Sequence, residues 1–172
     1  VLLACRMKRM GIEMFATPLQ GLPADESPVL HRWRLDLKTA KVKEEALDDV
    51  SSDFPRVEDR LMGKKSRFGY TMKLSMDGYR KYDLEKGTIQ KHELGKGRHG
   101  GEAVFVPRPG AKGEDEGWLL TYAHDQKDDK SELVVLDAKE FDRAPLARVL
   151  LPRRVPFGFH GAWLDESVWR GS

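Results

Sequence analysis

Apolar residues recur along this chain in short alternating runs, broken by clusters of Gly, Pro, Asp and Lys. No segment sustains a 3.6-residue apolar period over three turns, so the pattern predicts strands rather than helices. The predicted strands cover residues 1–7, 30–37, 41–47, 54–57, 67–72, 78–84, 88–94, 102–106, 118–123, 132–136, 147–151 and 157–164. So many short strands in one chain predict an all-β sandwich, barrel or propeller.

Internal repetition separates these options. Arg32-Trp33-Arg34-Leu35-Asp36-Leu37, Arg80-Lys81-Tyr82-Asp83-Leu84 and Val134-Val135-Leu136-Asp137-Ala138 each end an apolar strand on Asp plus a small or apolar residue. The three aspartates lie 47 and 54 residues apart. Asp suits such a place because its carboxylate can accept backbone N–H groups two residues on, closing a hairpin. A period near 50 with four strands per period is the arithmetic of a β-propeller. One blade then runs over 54–94 and the next over 102–151, and a further one begins at 157. The first strand of a blade is innermost, so Asp53, Glu102 and His160, 49 and 58 residues apart, would each start an inner strand near the axis.

Composition narrows the class without deciding function. The 172 residues are 40% hydrophobic and 34% charged, with a net charge of +2, which suits one soluble globular domain. Basic and acidic residues are interleaved, as on solvated loops, so no nucleic-acid partner is expected. No apolar run approaches membrane-spanning length. The lone Cys5 has no internal disulfide partner, which favours a reducing compartment, cytoplasmic or plastid. The chain opens at Val1 inside a predicted strand and without Met, so it is expected to be a fragment.

The candidate chemistry is concentrated in Pro152-Arg153-Arg154-Val155-Pro156-Phe157-Gly158-Phe159-His160-Gly161-Ala162-Trp163. Glycines at 158 and 161 remove bulk beside His160, and Phe157, Phe159 and Trp163 supply an apolar wall. A lone histidine in an apolar strand is more often a hydrogen-bonded core residue than a ligand. Carboxylates brought to the same axis would give it a use, since a metal-bound imidazole needs its other ring N–H anchored.

At these residues the chain closely resembles the carotenoid oxygenase family, which includes carotenoid and apocarotenoid cleavage dioxygenases and lignostilbene dioxygenases. The resemblance is carried by the segment 30–37, by Asp53-Phe54-Pro55-Arg56, by Gly100-Gly101-Glu102-Ala103-Val104-Phe105-Val106-Pro107-Arg108, by 115–120, by 131–138 and by 151–163. It implies a seven-bladed propeller holding one Fe(2+) on its axis with four histidines, three of them braced by glutamates. Residues 1–172 would be the C-terminal part of that domain, about three blades. His160 would be the last iron ligand and Glu102 a bracing glutamate. The position before Phe54 is usually another bracing glutamate; Asp53 is one methylene shorter, so its bond to a histidine would lengthen or pass through water. His31, His92, His99 and His124 do not occupy the ligand motifs.

The resemblance further implies that the parent is a non-haem dioxygenase cleaving a conjugated C=C bond of a carotenoid, apocarotenoid or stilbene with O2 to give two carbonyl products. Its partners would be an apolar polyene or stilbene and O2, and any peripheral membrane contact would lie upstream. With one ligand of four, the isolated chain is expected to be inactive. The alternative is a non-catalytic propeller segment or interaction scaffold.

Overall fold

The structure is a computed structural model and describes residues 1–8 and 26–166. Its described residues form three antiparallel sheets in chain order. The first is β1 (Leu2–Arg6), β2 (Val29–Asp36) and β3 (Lys41–Ala46). The second is β4 (Ser52–Arg56), β5 (Phe68–Lys73), β6 (Gly78–Asp83) and β7 (Thr88–Glu93), paired in that order. In the third, β8 (Arg98–Gly100) and β9 (Val104–Pro107) both pair with β10 (Gly117–Asp125), which is followed by β11 (Lys130–Asp137) and β12 (Ala147–Leu150). These are consecutive blades of a propeller, as the repeat predicts.

The repeated aspartates do what the spacing implies. Asp36 Oδ1 accepts the Lys38 and Thr39 amides at 2.9 and 3.2 Å. Asp83 Oδ1 takes Glu85 and Lys86 at 3.1 and 3.0 Å, and Asp137 Oδ1 takes Lys139 and Glu140 at 2.8 and 3.3 Å. Each turn joins the third strand of its sheet to the outermost one, or the second to the third where β1 leads.

The core lies where the second and third sheets face each other. Period-two alternation along β10 sends Leu119, Thr121 and Ala123 inward, where Leu119 and Ala123 join Tyr70, Met72 and Tyr79 from the second sheet, Phe105, Val134 and Leu136 from the third, and Phe141 from the connection between β11 and β12. Polar ties cross the same boundary. Lys81 Nζ donates to Asp115 at 2.8 Å and to the Ala138 carbonyl at 2.7 Å, and the Gly100 amide donates to the Met76 carbonyl at 2.7 Å. A Cβ on Gly100 would overlap the Tyr79 hydroxyl, so only glycine permits this approach.

The structure differs from the sequence reading at β4, which starts at Ser52 rather than 54, at the predicted strand 102–106, which is β9 from Val104 and leaves Glu102 outside any strand, and at two further places. The short strand β8 precedes the predicted start at 102, because its three residues carry no apolar alternation. Residues 157–164, predicted as an inner strand, form no strand. Among the described residues no strand lies alongside them to complete a ladder, and side chains hold the segment instead: the Val155 amide donates to Ser131 Oγ at 2.8 Å and the Gly161 amide to Glu102 Oε2 at 2.8 Å. No helix among the described residues is long and apolar enough to cross a membrane.

Candidate metal centre

Glu102 follows β8 and a Gly-Gly pair whose backbone is fixed from both sides. The Gly101 amide donates to the Tyr122 carbonyl at 2.9 Å, and the Gly101 carbonyl accepts from the Tyr79 hydroxyl at 2.8 Å and Thr121 Oγ1 at 3.1 Å. The Glu102 side chain is 4% exposed and His160 Nδ1 lies 3.5 Å from its Oε2. A separation of 58 residues is thus closed to one carboxylate–imidazole contact. The His160 side chain is 76% exposed, with its Nδ1 edge on the carboxylate.

The second sheet contributes through a bulge. Pairing between β4 and β5 slips between Asp53 and Arg56, and Phe54 takes φ +53°, a conformation bulky L-residues rarely adopt. Asp53 Oδ1 accepts the Phe54 amide at 2.7 Å, supporting that turn of the chain. The Phe54 ring then stands edge-on to His160, centroids 5.5 Å apart. Asp53 also faces Cys5: burial first, and the Asp53 charge second, push the Cys5 thiol up to about 12.

A cavity of about 230 Å³ opens beside this pair, lined by Glu102, His160, Tyr122, Phe157 and Phe159 together with His99 and His124. His99 and His124 stand opposite each other on β8 and β10, and Phe157 meets the His124 ring at 6.1 Å. His31 stacks on Trp33 at 5.6 Å and its Nδ1 lies 3.0 Å from the Val29 carbonyl. His92 is buried against Phe141. Among the described residues no group of three or more His, Cys, Asp or Glu could hold a metal ion. A Cβ at Gly161 would touch Val104 Cγ2 at 3.4 Å, whereas one at Gly158 would meet open space, so the bulk argument applies to 161 and not to 158.

Sequence reading missed Arg56 and Phe54 as members of this site. The signal was a basic residue in an inner strand immediately after Phe-Pro, where a charge needs a partner near the axis.

The family model for retinal pigment epithelial membrane protein matches residues 1–165. The chain belongs to this family, the carotenoid oxygenases. Among its carotenoid oxygenase relatives, the carotenoid 9,10(9',10')-cleavage dioxygenase 1 of Arabidopsis thaliana is 33% identical over 96% of this chain and 34% of its own length. A carotenoid cleavage oxygenase of Mycobacterium tuberculosis is 37% identical over 87% of the chain and 32% of its own. The solved cobalt-substituted Synechocystis apocarotenoid oxygenase superposes with a TM-score of 0.78 at 29% identity, over 85% of this chain and 32% of that one. The chain therefore spans about one third of the length of these carotenoid oxygenases.

Proposed function

We propose that residues 1–172 are the C-terminal part of a non-haem Fe(II) dioxygenase that cleaves a conjugated carbon–carbon double bond of a carotenoid, apocarotenoid or stilbene. In that reaction the C=C bond breaks, two C=O bonds form, and both atoms of O2 end in the two carbonyl products. The observation that carries the reading is His160 Nδ1 at 3.5 Å from the buried Glu102 carboxylate, in a chain of this family.

The donor chemistry fits one corner of an iron site. An imidazole that presents Nδ1–H to a carboxylate keeps its tautomer and leaves Nε2 as the donor atom. Bound there, Fe(II) would supply open coordination positions for O2. Glu102 would orient His160, Phe54 would limit its ring rotation, and Phe157 and Phe159 would keep the adjoining cavity apolar, as a hydrocarbon substrate requires. Asp53 stands where a second bracing carboxylate is expected, and it would act on a histidine outside residues 1–172. The remaining ligands would come from there too.

The test is His160→Ala in a protein carrying residues 1–172 within a complete propeller. Bound iron and cleavage of an apocarotenoid should both be lost; full iron content with unchanged turnover overturns the assignment. For the chain by itself, a second reading as a non-catalytic segment or interaction scaffold is favoured by its single braced donor. Stoichiometric, tightly held iron in the purified 172-residue chain contradicts that second reading.

A further inference from the structure

The two oxygens of Glu102 have different partners. Oε2 accepts the Gly161 amide at 2.8 Å and lies 3.5 Å from His160 Nδ1, while Oε1 faces Arg56 Nη1 at 3.5 Å. Arg56 Nη2 donates to the Gly161 carbonyl at 3.4 Å and lies 3.8 Å from Asp59 Oδ2. Gly161 is therefore gripped at both its N–H and its C=O, by a carboxylate and by the guanidinium that pairs with that carboxylate. The ring Glu102–Gly161–Arg56 closes directly beside His160.

Arg56 reaches this place through a locally costly path. The β4 bulge and the positive φ of Phe54 set the strand for it, and its Nε is buried without an acceptor. Its Nη contacts are what this arrangement secures. Without the guanidinium, Glu102 Oε1 and the Gly161 carbonyl both lose this partner, and the carboxylate keeps only the Gly161 amide and the edge of the imidazole. A carboxylate held from one side only no longer fixes the direction in which it meets His160.

We propose that Arg56 is a positioning residue, whose guanidinium clamps the Glu102 carboxylate and the Gly161 carbonyl and so fixes the orientation of the His160 imidazole. This deepens the iron-site reading and rests on it for its purpose. The clamp itself needs neither metal nor substrate, so the two fail separately.

The experiment is NMR on the 172-residue chain at a pH well above the usual histidine range. Arg56→Met should speed Gly161 amide exchange by about tenfold or more, the scale of a lost charge-assisted hydrogen bond, while Tyr79 and Lys81 amides in β6 stay protected. The ¹⁵N signature of the His160 ring should move from the Nδ1–H tautomer toward a mixture. Arg56→Lys, which keeps the charge and loses the fork, should restore part of both. In the unaltered chain the Arg56 guanidinium should rotate slowly, and Glu102→Gln should free it. Unchanged Gly161 exchange and His160 tautomer in Arg56→Met overturn the proposal, as does free guanidinium rotation in the unaltered chain if the variants do not fold. An intact clamp in a complete propeller that binds no iron would instead overturn the iron reading alone.

Discussion

The Tyr79 hydroxyl donates to the Gly101 carbonyl at 2.8 Å, so the core of one blade holds the residue immediately before Glu102 in the next. Thr121 Oγ1 lies 2.7 Å from the same hydroxyl and itself donates to that carbonyl at 3.1 Å. The bond is both a tie between blades and a support for the site.

Tyr79→Phe should therefore destabilise the chain by about 1 kcal/mol, the ordinary net worth of one buried hydrogen bond, because Thr121 keeps the carbonyl satisfied. Urea unfolding measures it. Adding Thr121→Val should cost more than the sum of the single changes, since the carbonyl then has no side-chain donor. Strict additivity would show that the two hydroxyls do not share this acceptor.

Lys81 is a second tie. Its ammonium is buried between Asp115 and the Ala138 carbonyl, 4.3 Å from the centre of the Phe68 ring. Lys81→Met should cost about 3 kcal/mol, because it strands a mostly buried carboxylate rather than because the pair is strong. Asp115→Asn in the Lys81→Met background should recover part of that loss. A double variant no more stable than Lys81→Met would refute the stranded-charge account.

How much of this was legible in the sequence follows from which interactions are local. Asp36, Asp83 and Asp137 each close a turn with amides two and three residues on, so their spacing revealed the blades. The start of β4 at Ser52 and the three residues of β8 carry no alternating signal, so the predicted strand at 54 begins two residues late and β8 is missed, the predicted strand at 102 belonging to β9, which begins at Val104. Residues 157–164 read as a strand because their composition suits one, yet a strand also needs a neighbour, which composition does not report. Glu102 and His160 were legible as a pair through blade arithmetic and family resemblance. Arg56 was not, because its direction depends on a bulge set by the register between β4 and β5.

His92 gives the chain a pH dependence. Burial holds its imidazole below the ordinary value of 6.5, with backbone partners at Phe141 and Arg143 opposing that shift in part. As pH falls through 6.5 the unfolded chain takes up a proton that the folded chain still refuses, so the unfolded state binds more protons there. Stability from this group is full above 6.5 and declines as pH falls toward the lower folded value. Urea midpoints across that window should drop, and His92→Gln should flatten the slope. An identical slope in the variant would assign the dependence elsewhere.

Asp53 carries the remaining prediction, because its carboxylate has a local task that a longer one cannot perform in the same way. Its Oδ1 caps the Phe54 amide at 2.7 Å, and Phe54 sits at φ +53° with its ring against His160. Asp53→Glu moves the carboxylate outward by one methylene. The short bond to the next residue's amide is then lost, and stability should fall by roughly 0.5–1 kcal/mol, the net worth of one exposed-side hydrogen bond. On the proposed iron-site reading, the same change in a complete propeller would bring the carboxylate closer to the histidine it braces, so iron should be retained longer against a chelator. Melting and iron-retention measurements on the same variant separate the two effects. Lower stability with faster iron loss would mean that Asp53 serves the bulge alone, and that the shorter side chain is suited to this chain's own β4 rather than a weakened brace.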